Sequence, residues 1–196
     1  MPPNWSENGA VAFGNPSLFG VNARLPAGGA AGSPACVSCK PSGARPAGKK
    51  VGDSNDEGLN WASGRIPPWP DQMRPSRILA TNGSYLFFES FDRLVLGDTN
   101  AKQDVYEWRA ASSKAQCIDQ GAEAYAPGSG GCLSLISSGH DPTDSKLLDA
   151  SADGRDVFFT TEESLLPQDP GLIDVYDARE GGGFTPPPPP PTPCVE

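Results

Sequence analysis

The sequence predicts an all-β fold built from short antiparallel strands joined by turns and long loops. Two observations support this fold class. A turn-and-strand unit recurs along the chain, and each of its two clearer copies joins an Asx-Gly dipeptide to a run of β-branched and aromatic residues. Helical patterns are nearly absent: the best candidate, at residues 162–166, is limited to about one turn by Pro167 and Pro170.

The recurring unit is best seen by comparing residues 82–90 with residues 153–161. The first segment reads Asn-Gly-Ser-Tyr-Leu-Phe-Phe-Glu-Ser, and the second reads Asp-Gly-Arg-Asp-Val-Phe-Phe-Thr-Thr. Each is followed by a second similar segment, Asp-Val-Tyr-Glu at 104–107 and Asp-Val-Tyr-Asp at 174–177. A decayed third copy lies at residues 6–13. The Asx-Gly glycines of the three copies are therefore 74 and 71 residues apart, which indicates a repeat architecture.

Each clear copy predicts a hairpin followed by further strands. The Asx-Gly dipeptides favour a type I′ turn, with residues 77–80 and 146–149 as the strands that precede the two turns. Residues 104–109 and 174–179 are the third strands, and the period-two alternation of residues 132–137 predicts a fourth. Four strands per repeat predict an incomplete β-propeller-like array of four-stranded antiparallel blades with long loops. A two-sheet sandwich is the alternative, although it does not explain the repeat.

These turn and strand segments, together with Asp98-Thr99-Asn100, resemble the TolB-like class of β-propeller repeats. The resemblance is closest to large multi-blade surface proteins of actinobacteria, and it covers about residues 6–180. It implies a periplasmic or extracellular module for protein interaction, and it carries no catalytic residues to this chain.

The repeats divide the chain into three regions. Residues 1–75 are expected to form a degenerate first blade with Pro/Gly-rich loops, and residues 76–180 two clearer repeats. Residues 181–196 contain three glycines and six consecutive prolines, which favour an extended linker or tail. Because a propeller typically has four to eight blades, we expect the chain to be a fragment of a longer protein, with exposed blade edges that allow self-association.

Charge and hydropathy exclude two classes of partner. Residues 1–50 carry a net charge of +4 and residues 51–196 a net charge of −13, which gives −9 in total. An acidic body repels phosphate backbones, so no nucleic-acid partner is expected. No apolar run approaches the length of a membrane span, so no membrane insertion is expected either. The N-terminus lacks a signal peptide, although the other features favour the outside or surface of a bacterial cell; a start inside a longer reading frame would reconcile the two.

Five cysteines offer several kinds of chemistry. Cys36 and Cys39 form a Cys-x-x-Cys motif, while Cys117 and Cys132 flank a Gly-rich loop. All four together could bind tetrahedral zinc, and the Cys-x-x-Cys pair alone could be redox-active. Disulfides are favoured, with Cys117–Cys132 as the first choice, and the partner of Cys194 is open.

A second possible site is a cation loop. Asp98, Asn100 and Asp104 place oxygen ligands at positions 1, 3 and 7 of a short segment, as some calcium loops do. Lys102 at position 5 argues against calcium, and Asp and Asn are also ordinary turn residues. No cofactor is therefore expected.

The sequence contains no convincing catalytic motif. The single histidine, His140, lies in a polar turn where solvent exposure is expected, and no nucleophile elbow or phosphate-binding loop is present. The leading hypothesis is a non-enzymatic module that binds a protein or a glycan, with Trp61 and Trp69 as candidate sugar-stacking residues. One alternative is a propeller hydrolase or lyase with an acidic axial site, to which Asp98, Asp104, Asp169 and Asp174 would contribute. A gene fragment without an independent function is another.

Overall fold

A computed structural model describes residues 22–24, 34–51, 60–67, 75–111, 113–117, 122–166 and 171–183. Within these residues the chain is all-β, as the sequence predicts, with one short 3-10 turn at Lys114–Gln116. The strands form four antiparallel sheets. Their bounds are β1 Asn22–Arg24, β2 Pro34–Cys36, β3 Lys49–Val51, β4 Asn60–Ala62, β5 Gly64–Arg65, β6 Tyr85–Ser90, β7 Asp104–Ala110, β8 Glu123–Ala126, β9 Gly131–Leu135, β10 Lys146–Ala150, β11 Asp156–Thr161 and β12 Asp174–Arg179.

The largest sheet has five strands in the order β5-β6-β7-β9-β8. Residues 132–137, predicted as a fourth strand, contribute β9, which pairs with β7. Strand β8 forms a hairpin with β9 across the turn at residues 127–130 and was not predicted from the sequence. Residues 77–80 do not form a regular strand. They lie along β6 through one isolated bridge, Leu79 to Leu86, and a hydrogen bond from Phe87 N–H to Ile78 O of 2.8 Å.

A second sheet, β10-β11-β12, repeats the pairing of the first. Strands β6 and β7 pair from Tyr85↔Arg109 to Ser90↔Asp104, whereas β11 and β12 pair from Asp156↔Arg179 to Thr161↔Asp174. The similar sequence segments therefore occupy the same positions in the same register. Among the described residues one sheet has five strands and the other three, so the predicted four-stranded units are not seen there.

The turns of the two units also match each other but are not of type I′. Gly83 N–H bonds to Ala80 O at 2.8 Å and Gly154 N–H bonds to Ser151 O at 3.1 Å. Only the glycine of each Asx-Gly dipeptide has a positive φ, +72° at Gly83 and +79° at Gly154. Asn82 and Asp153 instead accept hydrogen bonds from the backbone two residues later, which is the Asx-turn pattern.

Side-chain alternation divides the five-stranded sheet into two faces, each with its own hydrophobic cluster. One face carries Leu86, Phe88, Tyr106, Trp108 and Leu133, which pack against Val37 of the segment that follows β2 and against the loop after β6. The opposite face carries Phe87 and Val105, which pack against the three-stranded sheet. From that sheet come Leu147, Ala150, Val157 and Phe159. The two larger sheets therefore pack face to face, and the five-stranded sheet is covered on both sides.

Strands β1 with β2 and β3 with β4 form two small separate sheets. Within the described ranges, the four sheets do not close into a barrel or a propeller. The decayed copy at residues 6–13 and the tail at residues 184–196 lie outside the described residues. Among the residues that are described, no helix is long and apolar enough to cross a membrane.

Candidate functional site

The four cysteines other than Cys194 form two disulfides. Cys117 is joined to Cys132, with an S–S distance of 2.01 Å, and Cys36 to Cys39, with an S–S distance of 2.09 Å. No thiolate of these four remains to bind zinc in this structure. Cys194 lies outside the described residues.

The two disulfides flank an open groove of about 1100 Å³ beside the five-stranded sheet. The segment after Cys39 forms one wall, the 3-10 turn before Cys117 and strand β8 form the other, and the loop after β6 forms the floor. The lining residues are Lys40, Pro41, Ser42, Arg93, Leu94, Val95, Leu96, Lys114, Ala115, Cys117, Glu123, Ala124, Tyr125 and Pro127. We refer to this cavity as the disulfide groove.

The floor of the disulfide groove is a tightly held loop. Leu94 and Val95 are buried in the first hydrophobic cluster. The guanidinium of Arg93 donates hydrogen bonds to the carbonyls of Val95, at 3.2 Å, and Leu96, at 2.6 Å. Leu96 lines the groove, and 70% of its surface is exposed. An aliphatic side chain is therefore presented to solvent by a loop that is fixed on its other side.

Asp92 anchors the first wall to the floor. Its carboxylate is 2% exposed and lies 3.0 Å from the ammonium of Lys40. It also accepts hydrogen bonds from Ala47 N–H at 2.7 Å, from Gly48 N–H at 3.1 Å and from the Ser63 hydroxyl. Burial alone would raise the pKa of Asp92, but the hydrogen bonds from Ser63, Lys40 and Ala47 outweigh burial and lower it. Asp92 stays ionised and ties residues 40–48 to the main sheet.

The second wall is held by Arg109 and by the Cys117–Cys132 bond. Arg109 donates a hydrogen bond of 2.9 Å to the carbonyl of Gln116 and lies 3.5 Å from a carboxylate oxygen of Glu123. Glu123 also accepts a hydrogen bond of 3.0 Å from the Ser134 hydroxyl on β9. Lys114 is exposed on this wall. The groove therefore joins an apolar floor to a rim with more basic than acidic side chains.

The candidate calcium residues lie together, in the loop before β7. Asp98 and Asp104 are 2% and 0% exposed. The Tyr106 hydroxyl donates to Asp98 at 2.5 Å, the Ser137 hydroxyl donates to Asp104 Oδ1 at 2.6 Å, and Asn100 Oδ1 accepts the Lys102 N–H at 2.8 Å. The described part of the chain contains no group of three His, Cys, Asp or Glu side chains that could hold a metal ion. Calcium binding is the disfavoured interpretation of this loop, and the structure does not test it.

Asp98 and Asp104 are also candidates for the acidic axial site of a propeller hydrolase or lyase. Burial, together with the nearby negative charge of Asp98, raises the pKa of Asp104 to about 6 even though the Ser137 hydroxyl opposes that shift. Asp104 Oδ2 is buried and has no hydrogen-bond partner. Asp174 is half-buried at the start of β12, and Asp169 lies outside the described residues. A substrate in solvent could not reach Asp98 or Asp104.

Sequence reasoning missed a second cleft, which lies between the two large sheets. It has a volume of about 450 Å³ and is lined by Tyr85, Glu107, Arg109 and Arg155, among others. Burial raises the pKa of Glu107 to about 7, the like charges of Glu180 and Glu123 add to the shift, and Arg109 opposes it. His140 is exposed, as expected, and lies outside both cavities. Neither cavity therefore combines a nucleophile with a histidine base among its described residues.

Trp61 and Trp69 are the candidate residues for sugar stacking. Trp69 and the side chain of Trp61 lie outside what the structure describes. Trp108 is fully buried, and its indole N–H donates to the Ser129 hydroxyl at 3.1 Å.

Comparison of this chain with protein-family models, with curated proteins and with solved structures finds no match.

Proposed function

We propose that this chain is a non-enzymatic, extracytoplasmic interaction module that binds a protein partner in the disulfide groove. The observation that carries the proposal is Leu96, an aliphatic side chain that is 70% exposed on the floor of a cavity of about 1100 Å³. Exposed apolar side chains in a cavity, rimmed by polar ones, are typical of binding sites.

The chemistry of the groove favours a peptide segment with both apolar and acidic side chains. Leu96, Tyr125 and Pro127 offer apolar contact, and Lys114 lies on the rim. Anchored walls also favour binding, because less conformational entropy is lost when the partner is ordered against a rigid surface. A glycan stays the alternative partner, and its candidate stacking residues, Trp69 and the side chain of Trp61, lie outside what the structure describes.

Two features support the wider setting of the proposal. Disulfides persist in oxidising compartments, so the two bonds support a location outside the cytoplasm, and the surface of a bacterium is what the TolB-like resemblance implies. The repeated unit supports a propeller-like array, because successive units share one register and pack face to face.

The burial of acidic residues supports a non-enzymatic role over an axial acid site. A hydrolase or lyase of that kind needs carboxylates in contact with substrate, and Asp98 and Asp104 are enclosed by the protein. Their hydrogen bonds to Tyr106 and Ser137 hold the loop before β7 against the sheet. We assign them a structural role.

The test is a selection of peptide ligands with the full oxidised chain. A displayed library of random dodecamers is panned against the immobilised protein, and enriched peptides are resynthesised and measured by fluorescence anisotropy. We expect enriched sequences to combine Asp or Glu with Leu, Ile or Phe. Leu96→Asp should weaken their binding by at least tenfold and Lys114→Glu by several-fold, because the first removes an apolar contact and the second a favourable charge.

Matched controls come from outside the groove. Leu79→Asp changes another exposed leucine, which is 45% exposed, and Lys50→Glu changes another exposed lysine. Neither should alter the affinity. Peptides that bind the Leu96→Asp protein as tightly as the parent protein would show that the groove is not the binding site.

A further inference from the structure

The two repeated units differ in how their outer faces are covered. Val105 on β7 is fully buried between the two large sheets, whereas its counterpart on β12, Val175, is 61% exposed. The two valines occupy matching positions, since Val105 pairs with Glu89 on β6 and Val175 with Thr160 on β11. The exposed position in the second unit is thus a buried position in the first.

Pairing across the strands defines the rest of this surface, because paired residues of an antiparallel sheet lie on the same face. Leu147, Val157, Phe159 and Tyr176 belong to the face that packs against the five-stranded sheet. The opposite side of the three-stranded sheet, which we refer to as the outer face, carries Lys146, Asp149, Asp156, Phe158, Thr160, Val175, Asp177 and Arg179.

The exposed aliphatic surface of the described residues is concentrated in this second unit. Eight large aliphatic side chains are exposed among the described residues, and six of them lie between residues 148 and 175. Leu172 and Ile173, which immediately precede β12, are 67% and 68% exposed and extend the surface beyond Val175. Val175, Leu172 and Ile173 are neighbours in the chain, and exposed apolar side chains grouped in this way mark an interaction site.

The first unit indicates what covers such a face. The side of the five-stranded sheet with Phe87 and Val105 is covered by another β-sheet of similar sequence, and that sheet belongs to the same chain. We infer that the outer face of the second unit is covered by a second copy of this chain. This surface is separate from the disulfide groove, so the inference goes beyond the proposed function.

Within the part of the chain that the structure describes, the outer face of one copy has only the outer face of the other copy to pack against, because both faces of the five-stranded sheet are already covered. In a neighbouring copy, the face of the five-stranded sheet with Leu86 and Phe88 is already covered by Val37 and Ile66 of its own chain, and the face with Phe87 by its own second sheet. The outer face is the large sheet face that remains open among the described residues. Two copies therefore pack outer face to outer face, which closes a twofold dimer.

The charges on the outer face permit this contact despite the net charge of −9. Lys146 and Arg179 balance two of the three carboxylates, those of Asp149, Asp156 and Asp177. Arg179 already lies 2.6 Å from Asp156 and 3.5 Å from Asp177. The face is thus close to neutral, so two copies meet without strong local repulsion.

The test measures the mass of the full oxidised chain by light scattering coupled to size exclusion, over about 1 to 200 µM. We expect a monomer–dimer equilibrium. Val175→Asp should weaken the dimer by at least about 100-fold, since the change acts twice in a symmetric interface. Ile173→Asp lies outside the strand, so it leaves the sheet intact, and it should weaken the dimer at least tenfold. Circular dichroism and thermal unfolding confirm that each variant is folded.

Leu79→Asp is the control, because it places the same charge at an exposed leucine away from the outer face. It should leave the dimer constant unchanged. A parent chain that stays monomeric up to 200 µM would overturn the inference, as would a dimer that neither Val175→Asp nor Ile173→Asp weakens. An open-ended series of larger species would overturn the twofold symmetry. None of these results bears on peptide binding in the disulfide groove.

Discussion

Gly131 at the start of β9 is the position where a single methyl group should do the most damage. A Cβ built at Gly131 would lie 2.1 Å from Nε1 and 2.4 Å from Cε2 of Trp108, and 2.6 Å from the carbonyl oxygen of Arg109. Trp108 is fully buried in the first hydrophobic cluster, and β9 pairs with β7 on one edge and with β8 on the other, starting from Gly131. Neither the indole nor the two strands can move aside freely.

The cost of Gly131→Ala follows from these contacts. Adding a methyl group to a packed core costs about 1–3 kcal/mol through displaced side chains and backbone. Moving the indole also breaks its 3.1 Å hydrogen bond to the Ser129 hydroxyl, and a buried donor left unpaired costs about 1–3 kcal/mol more. We therefore expect Gly131→Ala to lower the free energy of unfolding by about 3 kcal/mol.

Urea unfolding of the oxidised chain, followed by circular dichroism, measures this loss. The reasoning is tested further by a double-mutant cycle with Trp108→Phe, which removes Nε1 and leaves a smaller ring. Gly131→Ala should cost at least about 1 kcal/mol less in that background than in the parent chain. A loss below about 1 kcal/mol in the parent chain, or no coupling to Trp108, would refute the contact as the cause.

Two further changes in stability are expected. The double variant Cys117→Ala/Cys132→Ala opens a loop whose ends are 15 residues apart and should lower the free energy of unfolding by about 3 kcal/mol, measured by urea unfolding against the oxidised parent chain. The pKa of Asp104 rises from 3.8 to about 6 in the folded chain, so the folded state holds this proton more tightly than the unfolded state does. The contribution of Asp104 to stability should therefore fall by about 2 kcal/mol as pH rises from 4 to 7, and Asp104→Asn should remove that contribution; equal pH slopes in the two proteins would contradict this assignment.

The repeated unit could be predicted from sequence because its signals are local. Strands β6 and β11 follow an Asx-Gly turn and consist of residues that suit a pleated sheet, and the Asp-Val-Tyr segments that begin β7 and β12 reappear after the turn at distances that differ by one residue. Turn, strand length and alternation then point to the same pairing. The structure places both copies in one register, so the sequence match was a match of backbone positions.

The rest of the sheet depends on contacts between distant residues and could not be predicted. Strand β5 has two residues and pairs with the end of β6 across more than 20 positions of sequence. Strand β8 forms beside β9, where the Cys117–Cys132 bond holds the preceding segment in place. The expected type I′ turns fail for a local reason, since Asn82 and Asp153 use their side chains to close an Asx-turn and keep φ negative.

The disulfide groove also combines residues that could be predicted from sequence with residues that could not. Its cysteines were recognisable in the sequence, although their pairing was open. Asp92 was not recognisable, because a lone Asp in a loop resembles any solvated turn residue. Its role depends on Lys40, Ala47 and Ser63, which lie 29 to 52 positions earlier and whose approach only the fold defines.

The two repeated units share their internal hydrogen bonds but differ in how far other parts of the chain cover them. The Tyr106 hydroxyl accepts the N–H of Leu94, and the Tyr176 hydroxyl accepts the N–H of Leu165, so the loop after the second strand is tied in the same way in both units. Yet Leu94 is 4% exposed, because Val37 and its neighbours pack over it, while Leu165 is 38% exposed. A unit with the same internal bonds can thus be core in one place and surface in another. The second unit keeps apolar side chains at positions that the first unit buries, as at Val175 and Leu165, so covering those side chains with another sheet lowers the free energy.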